Sequence, residues 1–178
     1  MLRIACFGDS LVQGFPFGNK YSWINFAGSE KITLLNYGLC GDCSDDILDR
    51  MQRYPLPEDV KHIIYLGGAN DVLQAVPLDF TMEVYKKLLS WCRERDYRLL
   101  LVLPLLSGEE ALNRKLINLR QAIKVSLGEQ VQLLDLQPAL GEAKLKEAYL
   151  DGVHPKAAVY EAMGVYARPL VKAWAEEE

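Results

Sequence analysis

The sequence lacks an excess of positive charge and has no long hydrophobic run. Its 24 Asp and Glu residues outnumber its 20 Lys and Arg residues, and the formal net charge is −4. The two signs are interleaved without a basic stripe, which argues against nucleic-acid binding. The longest strongly apolar run, Leu99 to Leu106, is far shorter than the ~20 residues of a membrane span. We therefore expect a small-molecule partner, no nucleic acid and no membrane span.

Cysteine is also scarce. The four cysteines (Cys6, Cys40, Cys43 and Cys92) are too few for a disulfide framework in 178 residues. Cys40 and Cys43 form a Cys-x-x-Cys string, but neither a thioredoxin-like context nor two further zinc ligands accompany it. We expect two free thiols there, with a disulfide acting as a redox switch as the alternative.

No targeting segment is recognisable at the start of the chain. The apolar run from Met1 to Phe7 is too short for a signal peptide and is followed at once by Gly8 and Asp9. A cytoplasmic location is therefore the expectation. The sequence does not indicate the oligomeric state.

Short apolar segments alternate with longer segments of helical periodicity. Because several of the short segments are continuously apolar, they are typical of parallel strands covered on both faces. The pattern predicts one domain, residues 1–178, folded as a three-layer α/β/α sandwich around about five parallel strands. The predicted strands are Arg3–Phe7, Thr33–Tyr37, His62–Leu66, Arg98–Leu103 and Gln132–Leu134. The longer predicted helices are Asp79–Arg95, Glu109–Leu127 and Pro155–Trp174.

Local signals refine two of these helices. Ser107 and Glu110 are spaced as a capping box before the second long helix, and Gly128 is placed to end it. Pro169 should kink or interrupt the last helix because proline cannot complete the backbone ladder. The apolar periodicity of that helix predicts an inward face made of Val159, Met163, Tyr166, Leu170 and Trp174.

Four polar, glycine-containing segments stand at the ends of strands or just before the last helix. Gly8-Asp9-Ser10-Leu11 follows the first strand, and a loop containing Gly41 follows the second. Gly68-Ala69-Asn70-Asp71 follows the third, and Asp151-Gly152-Val153-His154 precedes the last helix. Ligands bind outside the carboxyl ends of the strands in such sheets, so we expect all four segments at one edge.

In their order, these segments resemble the four motif blocks of GDSL (SGNH) hydrolases. The resemblance extends from Gly8 to His154. It implies a flavodoxin-like sheet with strand order 2-1-3-4-5 and a serine esterase activity without a metal or organic cofactor. It also implies an oxyanion hole made by the backbone N–H groups of Ser10 and Gly41 and the side-chain amide of Asn70. A glycine at position 41 would let the backbone approach a substrate closely.

The residue types match the chemistry that this resemblance implies. A serine hydroxyl needs a neighbouring base, and His154 is the base expected because His62 lies at the opposite end of its strand. Asp151, three residues before His154, can orient the imidazole and stabilise its protonated form. Because the imidazole must start neutral, we expect activity to fall below roughly pH 6. Asp9 and Asp71 are predicted to support the surrounding turns.

The expected reaction is hydrolysis of carboxylic or thio esters of small or soluble acyl groups through an acyl-Ser10 intermediate. Two alternatives stay open: an acyltransferase that uses the same triad, and a non-catalytic flavodoxin-like binding module. The identity of the acyl group and of the leaving alcohol or thiol does not follow from the sequence.

Two further groups of residues have a structural and a functional interpretation. The aromatic cluster after the nucleophile is predicted to pack in the core around the first helix; alternatively, it walls an acyl pocket with Val72, Leu105 and Leu106. His62 is predicted to be a surface or strand-edge residue. The cluster consists of Phe15, Phe17, Tyr21 and Trp23.

Overall fold

The protein is built around a parallel sheet of five strands, seen here in a computed structural model that describes residues 1–141 and 145–177. The strand order is β2-β1-β3-β4-β5, as the resemblance implied, and each observed strand boundary lies within one residue of its prediction. The strands are β1 (Leu2–Gly8), β2 (Ile32–Gly38), β3 (His62–Leu66), β4 (Arg98–Val102) and β5 (Gln132–Leu134).

Helices connect the strands and cover both faces of the sheet. Short 3₁₀ turns occur at Asn19–Tyr21 and Gln137–Leu140. None of the helices within the described part of the chain is both long and apolar enough to span a membrane. The helices are α1 (Ser10–Gln13), α2 (Trp23–Ala27), α3 (Ser44–Arg53), α4 (Ala69–Leu73), α5 (Leu78–Glu94), α6 (Glu110–Leu127), α7 (Leu145–Ala148) and α8 (Ala157–Glu176).

Two hydrophobic clusters lie on opposite faces of the sheet. Successive side chains of a strand point to opposite faces, so Phe7 joins one cluster and its neighbour Cys6 joins the other. The first cluster is completed by α3, α5 and α6, and the second by α1, α2 and α8. The predicted three-layer α/β/α sandwich is therefore confirmed.

The buried face of α8 differs from the predicted one. Tyr166 and Leu170 are exposed, whereas Gly164 and Ala167 are buried against the sheet side of the molecule. Large apolar residues occur on all sides of α8, so their periodicity alone does not identify its inner face. The small residues Gly164 and Ala167 identify it, because they allow α8 to lie close to α2. The buried residues are Tyr160, Met163, Gly164, Ala167, Val171 and Trp174.

Pro169 lies within α8 and does not interrupt it, so the predicted interruption is wrong. It lies on the exposed side of the helix, and the carbonyl four residues before it belongs to the exposed Val165. Water can therefore reach the carbonyl that proline leaves unpaired, and the ladder continues on both sides of it.

The predicted capping box at the start of α6 is wrong. Glu109 is the residue before the helix, and the Ser107 hydroxyl accepts the Glu109 N–H at 3.0 Å instead of capping the first turn. The Asn113 side chain in turn accepts the Ser107 N–H at 2.7 Å. Gly128 does follow the last residue of α6, and its N–H donates to the Lys124 carbonyl at 3.1 Å.

We expect Gly164→Ala to lower the free energy of unfolding by about 1–3 kcal/mol. A Cβ at this position would lie 2.4 Å from the Trp23 carbonyl oxygen and 2.4 Å from the Phe26 Cβ. This clash outweighs the gain of up to ~1 kcal/mol in helix propensity. Urea denaturation measures the effect. The control is Val165→Ala on the exposed side, expected within about 0.5 kcal/mol of the wild type; equal stabilities of both variants would contradict the close packing.

Candidate active site

The carboxyl ends of three neighbouring strands lie at one level of the sheet. Gly8 at the end of β1 pairs with Gly38 of β2 on one side and with Leu66 of β3 on the other. The loops that follow these strands therefore begin side by side. They carry Ser10, Gly41 and Asn70, and the segment before α8 adds His154 at the same edge.

Ser10 is the first residue of the short helix α1. The carboxylate of Asp9 caps this helix by accepting the Leu11 N–H at 2.9 Å, so the chain turns sharply at the end of β1. Ser10 itself is 4% exposed. Its hydroxyl is thus almost completely shielded from solvent by the surrounding segments.

His154 connects Ser10 to Asp151 by hydrogen bonds. The imidazole Nε2 lies 3.1 Å from Ser10 Oγ, and Nδ1 lies 2.7 Å from Asp151 Oδ2. With the ring proton on Nδ1, Nε2 accepts the serine hydroxyl proton and Asp151 accepts the ring N–H. The three residues are thus arranged so that the imidazole can remove a proton from the hydroxyl.

Asp151 is held in its ionised form. Partial burial raises its pKa, but the hydrogen bond from the His154 ring and those from the backbone N–H groups of His154 and Val153 outweigh this and lower the pKa to about 2. The carboxylate is therefore negative throughout the neutral and mildly acidic range. A negative group at this position stabilises a protonated imidazole.

Phe15 flanks the imidazole. Its ring centroid lies 4.7 Å from that of His154, at an angle of 56°. The backbone of Phe15 is anchored twice: its N–H donates to the Ser10 carbonyl at 3.0 Å, and its carbonyl accepts the Tyr160 hydroxyl at 3.0 Å. Burial raises the pKa of Tyr160, so its hydroxyl stays protonated and remains a donor.

Gly41 and Asn70 lie on two adjacent loops. Gly41 has φ +91°, a left-handed conformation that favours glycine, and no atom lies within 4 Å of the position that a Cβ would occupy. The Asn70 amide donates one hydrogen to the Asp42 carbonyl at 2.8 Å. Because a primary amide carries two hydrogens, the second is available to a ligand.

Arg50 of α3 anchors the loop that contains Gly41. Its guanidinium donates to the Asp42 carboxylate at 2.9 and 2.7 Å, to the Tyr37 carbonyl at 2.6 Å and to the Gly8 carbonyl at 3.1 Å. One side chain thereby joins the ends of β1 and β2 to the loop. The Arg50 and Asp42 side chains are only 25% and 14% exposed.

Gln13 supports the same loop from α1. Its side-chain oxygen accepts the Cys40 N–H at 2.9 Å. Cys40 is exposed, whereas Cys43 is buried at the start of α3, and both are free thiols. The loop is therefore attached to α1 on one side and to α3 on the other.

Two buried carboxyl groups lie beneath the loops. Asp71 accepts the Ser44 N–H at 2.8 Å, the Ser44 hydroxyl at 2.5 Å and the Thr81 hydroxyl at 3.1 Å, so it joins α4 to α3 and α5. Burial, together with the nearby carboxylates of Asp71 and Asp42, raises the pKa of Asp9 to about 7, although the Leu11 N–H opposes this. Both residues therefore hold the turns around Ser10 and Asn70.

The structure corrects two predictions about nearby aromatic and basic residues. Of the aromatic cluster only Trp23 is in the core; Phe15, Phe17 and Tyr21 are 36–40% exposed.

His62 is neither on the surface nor on an edge strand. It begins β3, between β1 and β4, and is half-buried with its ring 5.2 Å from that of Trp174.

The predicted pocket residues do not come together as one wall. Val72 lines a cavity of about 210 Å³ between α4, α5 and α6, whereas Leu105 is buried in the cluster under α8. Leu119 and Lys115 also line this cavity, but none of Ser10, Gly41 and His154 does. The cavity is therefore separate from the surroundings of Ser10 and His154.

Sequence reasoning missed Arg50, Gln13 and Asp42. Arg50 stands three residues after the buried Ile47 of α3, which places it beside the inner face of the helix. An arginine beside the inner face of an amphipathic helix indicates that its guanidinium has partners within the protein, and this was the signal in the sequence. In residues 1–141 and 145–177, no cluster of three or more His, Cys, Asp or Glu residues could hold a metal ion.

Comparisons with known proteins identify the family of this chain. Residues 6–162 match the GDSL-like lipase/acylhydrolase family. Curated protein sequences gave no match.

Several solved structures have the same fold. A G-D-S-L family protein from Desulfitobacterium hafniense has a TM-score of 0.85 at 23% identity, covering 96% of this chain and 99% of its own. The psychrotrophic esterase EstA from Pseudoalteromonas sp., inhibited by monoethylphosphonate, has a TM-score of 0.79 at 15% identity, with 99% and 100% coverage. An acetylxylan esterase from Geobacillus stearothermophilus has a TM-score of 0.77 at 19% identity, with 98% and 94% coverage.

We expect Arg50→Met to lower the free energy of unfolding by about 2 kcal/mol, because it leaves the Asp42 carboxylate without its donor and removes one donor from each of two strand-end carbonyls. Chemical denaturation measures the loss. The matched control is Arg53→Met in the same helix, whose 78%-exposed side chain pairs with the exposed Asp49 and should contribute at most about 0.5 kcal/mol. Equal losses in the two variants would show that Arg50 does not anchor the loop.

Proposed function

The chain belongs to the GDSL-like lipase/acylhydrolase family and is an ester hydrolase, and we propose that it cleaves carboxylic or thio esters of small or soluble acyl groups through an acyl-Ser10 intermediate. The observation that carries this proposal is the continuous set of hydrogen bonds from Asp151 through His154 to Ser10, at 2.7 and 3.1 Å. The reactive groups are thus already within the distances that proton transfer requires.

In the proposed first step, Ser10 Oγ attacks the carbonyl carbon of the ester while its proton moves to His154 Nε2. The bond between the carbonyl carbon and the leaving oxygen or sulfur then breaks, and the proton passes from Nε2 to the leaving atom. In the second step His154 Nε2 takes a proton from water, whose oxygen bonds to the acyl carbon. The bond between that carbon and Ser10 Oγ then breaks, the proton passes from Nε2 to Oγ, and the acid leaves. Asp151, ionised by its hydrogen bonds, stabilises the imidazolium in both steps.

The negative oxygen of each tetrahedral intermediate needs donors. We assign this role to the backbone N–H groups of Ser10 and Gly41 and to the Asn70 side chain. The Asp42 carbonyl already fixes the orientation of the Asn70 amide, and Arg50 fixes Asp42. The Asn70 amide is therefore oriented before substrate binds, and such a preformed donor stabilises a transition state most.

The preference for small or soluble acyl groups rests on the short connections around Ser10. The segments between β1 and α1, between β2 and α3, and between β3 and α4 are short and offer no long lid over an extended acyl chain. The cavity of about 210 Å³ is not lined by Ser10, Gly41 or His154. The similarity to an acetylxylan esterase supports a short acyl group.

The test is hydrolysis of p-nitrophenyl esters from acetyl to palmitoyl, together with labelling by a serine-directed fluorophosphonate. We expect turnover to be highest for the short acyl groups and to fall to near background in Ser10→Ala, which should also escape labelling. The matched control is Ser90→Ala on the exposed side of α5, which should retain both properties. Full turnover by Ser10→Ala would overturn the proposed nucleophile, and product analysis with an added alcohol would reveal an acyltransferase.

We expect Asn70→Ala to lower kcat by on the order of 10²–10³ with little change in KM, because the lost donor acts mainly on the developing oxyanion. Steady-state kinetics on the best p-nitrophenyl ester measures the change. Asn25→Ala, at an exposed position in α2, serves as the control and should behave as the wild type. An unchanged kcat in Asn70→Ala would remove Asn70 from the oxyanion hole.

A further inference from the structure

We propose that Phe15 is a specificity-determining residue for the leaving group of the ester, and that it favours aromatic and other apolar alcohols. This inference rests on the proposed function, since it takes Ser10 as the nucleophile and His154 as the proton donor to the leaving atom. It adds the chemical class of the alcohol, which the sequence motifs do not specify.

The orientation of the ester follows from the positions of the groups that act on it. The carbonyl oxygen must face Gly41 and Asn70, because these carry the oxyanion donors. The leaving oxygen must come within hydrogen-bond distance of His154 Nε2, because it receives its proton there. The substituent on that oxygen therefore extends along the imidazole side of Ser10, while the acyl group extends away from it.

Phe15 is the aromatic residue in contact with that imidazole. Its ring centroid lies 4.7 Å from the ring of His154, and 38% of the residue remains accessible to solvent. A group attached to the leaving oxygen would lie within reach of the exposed part of this ring. Stacked or edge-to-face contact between two aromatic rings stabilises a complex beyond simple burial of area.

The Phe15 backbone is also held in place before any substrate arrives. The Ser10 carbonyl accepts the Phe15 N–H, and the buried Tyr160 hydroxyl donates to the Phe15 carbonyl. The position of this residue is thus tied to the nucleophile itself and to α8. Little conformational entropy is lost when a ligand packs against a side chain whose backbone is fixed in this way.

Two further exposed aromatic residues follow Phe15 in the segment between α1 and α2. Phe17 and Tyr21 are 36% and 40% exposed, and their ring centroids lie 5.9 Å apart in an edge-on arrangement. This segment therefore presents aromatic side chains, and Phe15 is the one that contacts His154. The donors assigned to the acyl carbonyl, the Gly41 backbone and the Asn70 amide, are polar.

Two isomeric esters test the assignment. Benzyl acetate carries its phenyl ring on the alcohol, and methyl phenylacetate carries the same ring on the acyl group; their leaving alcohols have nearly equal acidity. kcat/KM is measured for both esters with the wild type, Phe15→Ala and the control Phe80→Ala, an exposed phenylalanine of α5. Taking the ratio of each variant to the wild type cancels the intrinsic reactivity of each ester.

We expect Phe15→Ala to lower kcat/KM for benzyl acetate about tenfold more than for methyl phenylacetate, and Phe80→Ala to leave both unchanged. An equal loss on both esters would overturn the inference, since it would show that Phe15 acts only by positioning His154. A larger loss on methyl phenylacetate would overturn it too, by placing Phe15 on the acyl side. Hydrolysis of p-nitrophenyl acetate without hydrolysis of benzyl acetate would overturn this inference alone. Failure to hydrolyse any of these esters and to react with a fluorophosphonate would overturn the proposed function and this inference with it.

Discussion

The guanidinium of Arg50 is the interaction on which the geometry of this edge of the sheet depends. It satisfies the carbonyls of Gly8 and Tyr37, where the ladders of β1 and β2 end, and it pairs with the Asp42 carboxylate. Asp42 in turn accepts the Asn70 amide through its backbone carbonyl. Three consecutive strand ends of the sheet are thus joined by one side chain and the loop it holds. Because each of these groups is half-buried or buried, water cannot replace the guanidinium without disturbing the others.

Most of the fold could be predicted from the sequence, because its main determinants are local. The apolar runs of β1, β3 and β4 are nearly continuous, and helical segments separate them, so both the strands and their parallel arrangement follow from short-range patterns. The strand order, however, came from the resemblance of four motifs and not from the apolar pattern. The structure also brings Ser10, Asp151 and His154 into one set of hydrogen bonds, and Gly41 and Asn70 lie on the loops after the two neighbouring strands. Their assignment to catalytic roles remains a proposal.

The features that escaped prediction depend on contacts between distant segments. The inner face of α8 is defined by the close approach of α2 at Gly164, and no periodicity within α8 contains that information. The spacing of Ser107 and Glu110 is that of a capping box, but the Ser107 hydroxyl instead bonds to the Asn113 side chain and the Glu109 N–H. Phe15 was expected in the core because it is large and apolar, whereas its contact with His154 leaves it partly exposed. The role of Arg50 was not predicted because a basic residue in an amphipathic helix normally points into solvent.

The hydrogen bond between Ser10 and His154 joins residues 144 positions apart. Ser10 belongs to the first helix that a ribosome would release, and His154 emerges only when most of the chain has been synthesised. Until α8 docks on α2, the serine has no base beside it and has the low reactivity of any alcohol. Under the proposed mechanism, a nascent chain therefore cannot attack the esters of the cell during its synthesis. The serine becomes reactive only after the end of the chain has packed, and residues of α8 belong to the second hydrophobic cluster.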